Sequence, residues 1–208
     1  YTTEHWEGKS GSWKFVKSNG KYATNEFITW NGNKYYLDPA GIMVTGKYSI
    51  SNMSYLFSRG DNFHPEGSLL KNEWLLVDGY WYYSNSNGVV KTNSTITWNN
   101  TKYRLGTDGK MLTGLTKIDG NLYYFNDGSI GGLPYGAMLT SSWLYVGGYY
   151  YYFGSDGIQG LAMTGILAVF HYGDRAISFT IDVFQPTAIL PGALHESAHL
   201  FDELIISL

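Results

Sequence analysis

Short runs of aromatic and aliphatic residues alternate along most of this chain with polar turns that contain glycine or asparagine. Apolar and polar positions that alternate between turn residues predict half-buried β-strands. Asn31-Gly32, Asp78-Gly79 and Asp119-Gly120 are dipeptides typical of tight turns between antiparallel strands. The strands predicted after the turns are Lys34-Tyr35-Tyr36-Leu37, Ser54-Tyr55-Leu56-Phe57, Trp81-Tyr82-Tyr83, Lys102-Tyr103-Arg104-Leu105, Leu122-Tyr123-Tyr124-Phe125 and Tyr150-Tyr151-Tyr152-Phe153.

The pattern is repeated within the chain. Residues 30–46 (WNGNKYYLDPAGIMVTG) resemble residues 98–114 (WNNTKYRLGTDGKMLTG), with Trp, Tyr, Gly, Met and Thr-Gly at matching positions. Two of the intervals between successive repeat units are longer than the rest, and residues 61–66 and 130–136 are expected to form loops in them. The first turns of the successive units are predicted at Gly11, Gly32, Asn52, Gly79, Asn100, Gly120 and Gly148.

Repeated hairpins imply a stacked architecture. A lone β-hairpin is barely stable in water, whereas stacked hairpins bury one another's aromatic faces. The sequence therefore predicts an all-β fold, a solenoid of stacked β-hairpin repeats over residues 1–165. A short β-hairpin and one C-terminal α-helix are predicted to follow it, as part of an α+β domain over residues 166–208.

Composition narrows the classes of function. Charged residues are 15% of the chain and the net charge is −3, so no basic surface is expected to neutralise the phosphates of a nucleic acid. Cysteine is absent, which excludes a disulfide framework. No apolar run is long enough to predict a transmembrane segment. Because the sequence begins at Tyr1, we expect it to be a processed or excised piece of a longer protein.

The repeat pattern over about residues 6–165 resembles the cell-wall-binding repeats of Gram-positive surface proteins, which include choline-binding and glucan-binding repeats. The resemblance implies shallow aromatic sites for a cell-wall polysaccharide, teichoic-acid choline or glucan, on a secreted, wall-associated protein. Aromatic faces attract quaternary ammonium groups through cation–π contacts. The candidate ligand-binding residues that follow are Trp30, Tyr36, Trp74, Trp81, Tyr83, Trp98, Tyr103, Tyr124, Trp143 and Tyr152.

The aromatic set that the family uses for choline is uneven along the chain. Trp74, Trp81 and Tyr83 keep that set within one unit, and Trp143 keeps its first position. Phe27, Thr95 and Leu115 stand where the leading tryptophan of other units would be. A wall polysaccharide or glucan is therefore at least as good a candidate ligand as choline. Each aromatic residue can alternatively serve only as core.

The repeat pattern stops after Gly165. Residues 166–171 and 175–184 predict two strands around Tyr172-Gly173-Asp174. Residues 193–208 predict a helix, since apolar residues recur there at helical spacing.

This predicted helix contains His195-Glu196-Ser197-Ala198-His199, an H-E-x-x-H motif. Residues four apart lie one turn apart on a helix, so His195 and His199 could both ligate Zn²⁺, with Glu196 as the catalytic general base toward a metal-bound water. With Asp202, the segment resembles the anthrax-lethal-factor-like and Pro-Pro endopeptidase group, which implies a peptide substrate. The chain ends at Leu208 without a recognisable third ligand, so we expect the catalytic domain to be truncated.

Two functions remain open at this point. The first is a secreted wall-binding protein that carries the beginning of a zinc metallopeptidase domain. The second is a non-catalytic carbohydrate- or choline-binding module, in which residues 166–208 only cap the solenoid.

Overall fold

The computed structural model describes residues 2–163, 169–172, 175–178 and 183–184. This described part contains 18 β-strands and no α-helix, and it has no helix that could span a membrane. The predicted all-β class of the repeat region is thereby confirmed. The chain divides into two compact units, one of Tyr1–Trp98 with Tyr103–Leu112 and the other of Asn99–Lys102 with Thr113–Leu208.

Consecutive strands pair as antiparallel hairpins. The seven hairpins of the predicted repeat region each span one of the predicted first turns. Their strands are β1 (His5–Glu7) and β2 (Lys14–Val16), β3 (Glu26–Trp30) and β4 (Asn33–Leu37), β5 (Gly46–Ile50) and β6 (Met53–Phe57), β7 (Trp74–Val77) and β8 (Tyr80–Tyr83), β9 (Ser94–Trp98) and β10 (Thr101–Leu105), β11 (Gly114–Ile118) and β12 (Asn121–Phe125), and β13 (Ser142–Val146) and β14 (Tyr149–Phe153).

Six of the hairpins have two-residue turns in which both residues adopt a positive φ. At Asp78-Gly79, for example, the φ values are 50° and 82°. This is the type I′ turn, whose twist matches that of the flanking strands and which favours Asn, Asp and Gly. The same geometry occurs at Asn31-Gly32, Ser51-Asn52, Asn99-Asn100, Asp119-Gly120 and Gly147-Gly148.

A short third segment follows several hairpins and links each one to the hairpin before it. Met43 forms a β-bridge with Leu37 of its own hairpin, and its backbone N–H donates to the carbonyl of Trp13, 2.8 Å away. We term this the stacking bond. In the first unit it recurs from Leu69 to Lys34 (2.7 Å), Val90 to Ser54 (2.8 Å) and Met111 to Trp81 (2.8 Å), and in the second unit from Met138 to Lys102 (2.9 Å).

The core of each unit is largely aromatic. In the first unit Phe15 and Tyr35 belong to one buried cluster, and Tyr36 and Phe57 to another. In the second unit a cluster forms around Phe153, which is completely buried. Side chains that pack on pleated strands in this way are the expected stabilisers of a β-fold.

Glycine is required at the turn between a hairpin and the short third segment that follows it. Gly109 has a φ of +82°, and a Cβ atom there would lie 2.7 Å from Cγ1 of Val90. Both the left-handed backbone and the close approach exclude other residues. The repeated Gly-Lys/Ile-Met pattern of the sequence therefore follows from the path of the chain at this turn.

The predicted hairpin after residue 165 is also present. β16 (Val169–Tyr172) pairs with β17 (Arg175–Ser178), with Tyr172 opposite Arg175. Within the predicted strand over 175–184, the structure also describes β18 (Val183–Phe184), which pairs with β15 (Gln159–Met163) and extends the sheet of β13 and β14. The predicted helix over residues 193–208 lies outside the described residues.

Candidate ligand-binding site

β7 and β8 bring three of the predicted ligand-binding residues onto one face. The register pairs Trp74 with Tyr83, and Trp81 shares their face because alternate strand residues point to the same side. The Trp74 ring centroid lies 6.5 Å from that of Trp81, with the ring planes at 90°, and 5.1 Å from that of Tyr83. The next hairpin adds Tyr103, whose centroid is 5.3 Å from that of Trp74. These four residues are termed the Trp74 site.

The Trp74 site has a buried side and an open side. Tyr103 is buried and Trp74 is half-buried, whereas Trp81 is 37% exposed. Burial, followed by the negative charge of Glu73, raises the pKa of the Tyr83 phenol. The phenol therefore stays neutral at physiological pH, and the site offers an uncharged aromatic surface to solvent.

The relation of the two tryptophans suits a cation. The centroids of Trp74 and Trp81 are 6.5 Å apart and the ring planes are perpendicular. Aromatic faces attract a cation that lies within roughly 6 Å of the ring centroid. An exposed indole face can also pack against the apolar face of a sugar ring.

A second aromatic face lies on β13 and β14 in the other unit. Trp143 pairs with Tyr152, and their ring centroids are 5.2 Å apart. Tyr145 and Tyr150 pair on the same face with centroids 4.6 Å apart, and Tyr145 is 61% exposed. These four residues are termed the Trp143 site. The sequence predicted Trp143 and Tyr152 but missed the two tyrosines beside them.

Two of the predicted ligand-binding tyrosines lie in the core. Tyr36 and Tyr124 are almost completely buried, and burial is the main cause that raises the pKa of each phenol. The Tyr36 hydroxyl donates to the side-chain oxygen of Asn25, and that of Tyr124 donates to the carboxylate of Asp127, both at 2.7 Å. Such satisfied, buried phenols support the hairpins from inside and offer little surface to a ligand.

The two tryptophans that precede hairpin turns differ in environment. Trp30 packs against the first core cluster, with its ring centroid 5.3 Å from that of Phe15. Trp98 is 39% exposed at the end of β9. Neither belongs to the Trp74 site or the Trp143 site.

A pocket of about 390 Å³ lies at the hairpin formed by β3 and β4. This pocket was not predicted from the sequence, because its hairpin lacks the leading tryptophan. The lysine at the first position of Lys34-Tyr35-Tyr36, where Trp81-Tyr82-Tyr83 has tryptophan, is the sequence signal that marks it. The pocket is lined by Phe27, Lys34, Met53, Tyr55, Leu69, Lys71, Ser86, Asn87 and Val89, and it is termed the Phe27 pocket.

The predicted zinc ligands His195 and His199 and the predicted base Glu196 lie outside the described residues. Within the described residues, no group of three or more His, Cys, Asp or Glu side chains is arranged to hold a metal ion.

The model of the cell wall binding repeat family, whose name refers to choline binding, matches residues 25–43, 72–90, 113–128 and 141–158. These four stretches are similar to the cell wall binding repeat. Each covers one hairpin with the turn that follows it: β3–β4, β7–β8, β11–β12 and β13–β14.

Streptococcal glucosyltransferases are similar to part of this chain. The chain is 31% identical over 159 residues to glucosyltransferase-S of Streptococcus mutans serotype c, which covers 74% of this chain and 10% of that protein. It is 32% identical over 108 residues to glucosyltransferase-I of Streptococcus downei, covering 51% and 6%. The chain thus spans about a tenth or less of the curated relatives it matches.

A solved structure shares the hairpin architecture. Choline binding protein F from Streptococcus pneumoniae, in the presence of a peptidoglycan analogue, is 29% identical to this chain, with a TM-score of 0.57. The similarity covers 76% of this chain and 52% of that one. Trp74, Trp81 and Tyr83 of the Trp74 site lie on a matched repeat, and so do the Trp143 site and Phe27 and Lys34 of the Phe27 pocket.

Proposed function

We propose that this chain attaches a secreted protein to the cell wall surface by binding a wall polysaccharide or glucan. The exposed rings of the Trp74 site carry this proposal, since they form a neutral, partly open aromatic face held by packing on one side. The cell wall binding repeats and the glucosyltransferase relatives support it.

The Trp143 site fits the same role. Its neighbouring rings extend along one face of a hairpin, and Tyr145 is well exposed. Aromatic side chains combine an apolar face with a polar tip, which matches a sugar ring that has an apolar face and hydroxyl groups at its edge. Several weak sites on one chain bind a polymer more tightly than any single site, because binding at one raises the effective concentration at the others.

Choline is the second candidate ligand, and it is favoured by one observation. Trp74 and the 37% exposed Trp81 lie side by side, with ring centroids 6.5 Å apart, and tryptophan is the aromatic residue that attracts a quaternary ammonium group most strongly. The similarity to choline binding protein F supports this candidate as well.

A pull-down assay separates the two ligands. The chain is incubated with purified cell walls or with insoluble glucan, in the presence or absence of free choline. Removal of the exposed indole in Trp81→Ala should weaken retention on the bound polymer by about tenfold, the size expected for one strong cation–π or stacking contact. Phe63→Ala is the matched control, because Phe63 is an 88% exposed ring outside the aromatic sites.

The outcomes distinguish the candidates clearly. Displacement from walls by choline identifies the quaternary ammonium as ligand, whereas retention on glucan that choline leaves unchanged identifies the sugar. Equal retention of Trp81→Ala and the unchanged chain on both polymers would contradict a ligand-binding role for the Trp74 site.

A zinc peptidase is a separate proposal that rests on the sequence motif alone. His195 and His199 would ligate zinc and Glu196 would accept a proton from the bound water. The test is the zinc content of the protein, together with cleavage of proline-rich peptides. Zinc content that His195→Ala leaves unchanged would reject this proposal.

A further inference from the structure

The Phe27 pocket is built by three successive parts of the first unit. Phe27 and Lys34 come from the hairpin β3–β4, and Tyr55 from β6 of the next hairpin. Lys71 lies just before β7, and Asn87 lies in the turn after β8. The stacking bond from Leu69 to Lys34 and the bridge between Tyr55 and Val89 hold these parts together. Backbone pairing therefore joins the strands that carry Lys34 and Tyr55 to the segments that carry Leu69 and Val89.

Lys34 occupies the position that Trp81 occupies in the Trp74 site. Each is followed by two tyrosines in the second strand of its hairpin, and the backbone carbonyl of each accepts a stacking bond. The leading residues are equivalent too, since Phe27 pairs with Tyr36 as Trp74 pairs with Tyr83. The two sites thus share a backbone frame and differ in two side chains, with Phe27 and Lys34 in place of Trp74 and Trp81.

The lysine changes which ligand the aromatic face can accept. The Lys34 ammonium lies 4.4 Å from the centroid of Phe27, so the protein itself supplies the cation that an aromatic ring attracts. A quaternary ammonium ligand would meet this positive charge at close range. The same ammonium would attract an anion.

The rest of the lining also favours an anion. Lys71 contributes a second ammonium, Ser86 and Asn87 contribute polar side chains, and the lining contains no Asp or Glu. Within the described part of the chain, neither Lys34 nor Lys71 forms an ion pair. Tyr55 and Met53 add apolar surface against which a sugar ring could pack.

We propose that the Phe27 pocket binds an anionic saccharide, a sugar ring that carries a phosphate or carboxylate group. The ammonium groups of Lys34 and Lys71 pair with the anion, and the sugar ring packs against the apolar surface of Tyr55 and Met53. This site is separate from the Trp74 site, and its ligand has the opposite charge to choline.

Titration with defined sugars, followed by amide and methyl NMR shifts, tests the proposal on the whole chain. The probes are glucose 6-phosphate, glucuronate, glucose and inorganic phosphate. Glucose 6-phosphate or glucuronate should bind at least about tenfold more tightly than glucose, as expected for charge-assisted hydrogen bonds. Binding should weaken in high salt, because partly exposed charges are screened. Of the two anionic sugars, the tighter one identifies the anion.

Neutral lysine analogues supply the variants. Lys34→Met and Lys71→Met should each weaken binding of the anionic sugar by about tenfold, since each removes one charged partner. Lys47→Met is the matched control, because the Lys47 ammonium also lies over a ring, 4.6 Å from the centroid of Tyr82, but does not line the pocket. Unchanged near-ultraviolet circular dichroism verifies that each variant is folded.

Three results would overturn the proposal. Equal affinity for glucose and glucose 6-phosphate would show that the lysines do not contribute to binding. Equal affinity of Lys34→Met and the unchanged chain for glucose 6-phosphate would show that the anion binds elsewhere. Inorganic phosphate as tight as the sugar phosphate would reject a saccharide site. None of these results bears on wall binding through the Trp74 site, which the pull-down measures separately.

Discussion

The Trp74 site and the Phe27 pocket are two versions of one structure. In both, an aromatic residue of the first strand, Phe27 or Trp74, pairs with a tyrosine of the second strand. In both, a stacking bond also reaches the backbone carbonyl of the residue two positions before that tyrosine. At that last position the first site has Trp81 and the second has Lys34. One presents a half-open aromatic corner, and the other presents a positive charge over a ring.

This difference shows how the fold and the ligand chemistry are separated. Backbone hydrogen bonds and type I′ turns define the hairpin frame, so the fold does not depend on which side chain stands at the variable position. The proposed ligand chemistry changes with that side chain. We therefore expect similar repeats to bind ligands of opposite charge within one chain.

The largest effect is expected from breaking the frame under the Phe27 pocket. Phe57 is completely buried, and its ring centroid lies 6.4 Å from those of both Phe27 and Tyr55. Phe57→Ala should lower the free energy of unfolding by about 3–5 kcal/mol through lost packing and a cavity. Urea unfolding measures the change, with the exposed Phe63→Ala as control, which should stay within about 0.5 kcal/mol. A loss below about 1 kcal/mol for Phe57→Ala would mean that the ring does not support this pocket.

A second test converts one site into the other. Lys34→Trp removes the internal cation and restores the aromatic residue found at Trp81. Binding of glucose 6-phosphate should fall by about tenfold or more, and weak choline binding should appear at Phe27. Chemical-shift changes near Phe27 on addition of choline provide the measurement. Choline shifts confined to the Trp74 site would show that the side chain at position 34 does not decide ligand charge.

The reciprocal change should have a somewhat smaller effect. Trp81→Lys should weaken choline binding by roughly three- to thirtyfold, which corresponds to one cation–π contact. Because the stacking bond uses the Trp81 carbonyl and the indole is 37% exposed, the unfolding free energy should change by less than about 1 kcal/mol. Calorimetric titration with choline and urea unfolding report the two quantities. A large loss of stability with unchanged choline binding would show that the Trp81 side chain supports the fold and not the ligand.

The smallest effect is expected from acid at the turn that leads to Met111. The backbone N–H of Lys110 donates to the Asp108 carboxylate, and this bond is the main cause that lowers the pKa of that group. Since the folded pKa lies below the unfolded value of about 3.9, the stabilisation is present above that pH and is lost as pH falls through the folded pKa. Asp108→Asn keeps an acceptor oxygen without the charge, so its melting temperature should depend less on pH below about 4. Identical acid profiles for the two proteins would exclude this contribution.

The hairpins could be predicted from the sequence because their turns require particular residues. Asp78-Gly79 and Asn31-Gly32 both adopt positive φ values, which few other residues tolerate. The local sequence therefore predicts where the turns lie. The alternation of large apolar residues then defined the strands. The all-β repeat region was predictable for these reasons.

The stacking bonds and the pocket were less predictable, for a physical reason. A backbone N–H of Leu69 or Met111 leaves no signature in the sequence, and the return of residue 69 to Lys34 crosses a long insert. Aromatic residues such as Tyr36 and Trp81 look alike in a pattern although one is core and the other is exposed. The lysine at position 34 was visible, but its meaning required the equivalence of the two hairpins.

The stacking bond has a consequence for how such proteins can evolve. It joins an amide and a carbonyl, so a point substitution at the acceptor residue alters what a hairpin recognises without weakening the link between hairpins. New specificities can then arise one repeat at a time, with no compensating changes in the neighbours. Lys34, Ser54, Trp81 and Lys102 all accept this bond, so three different residue types occupy the same position.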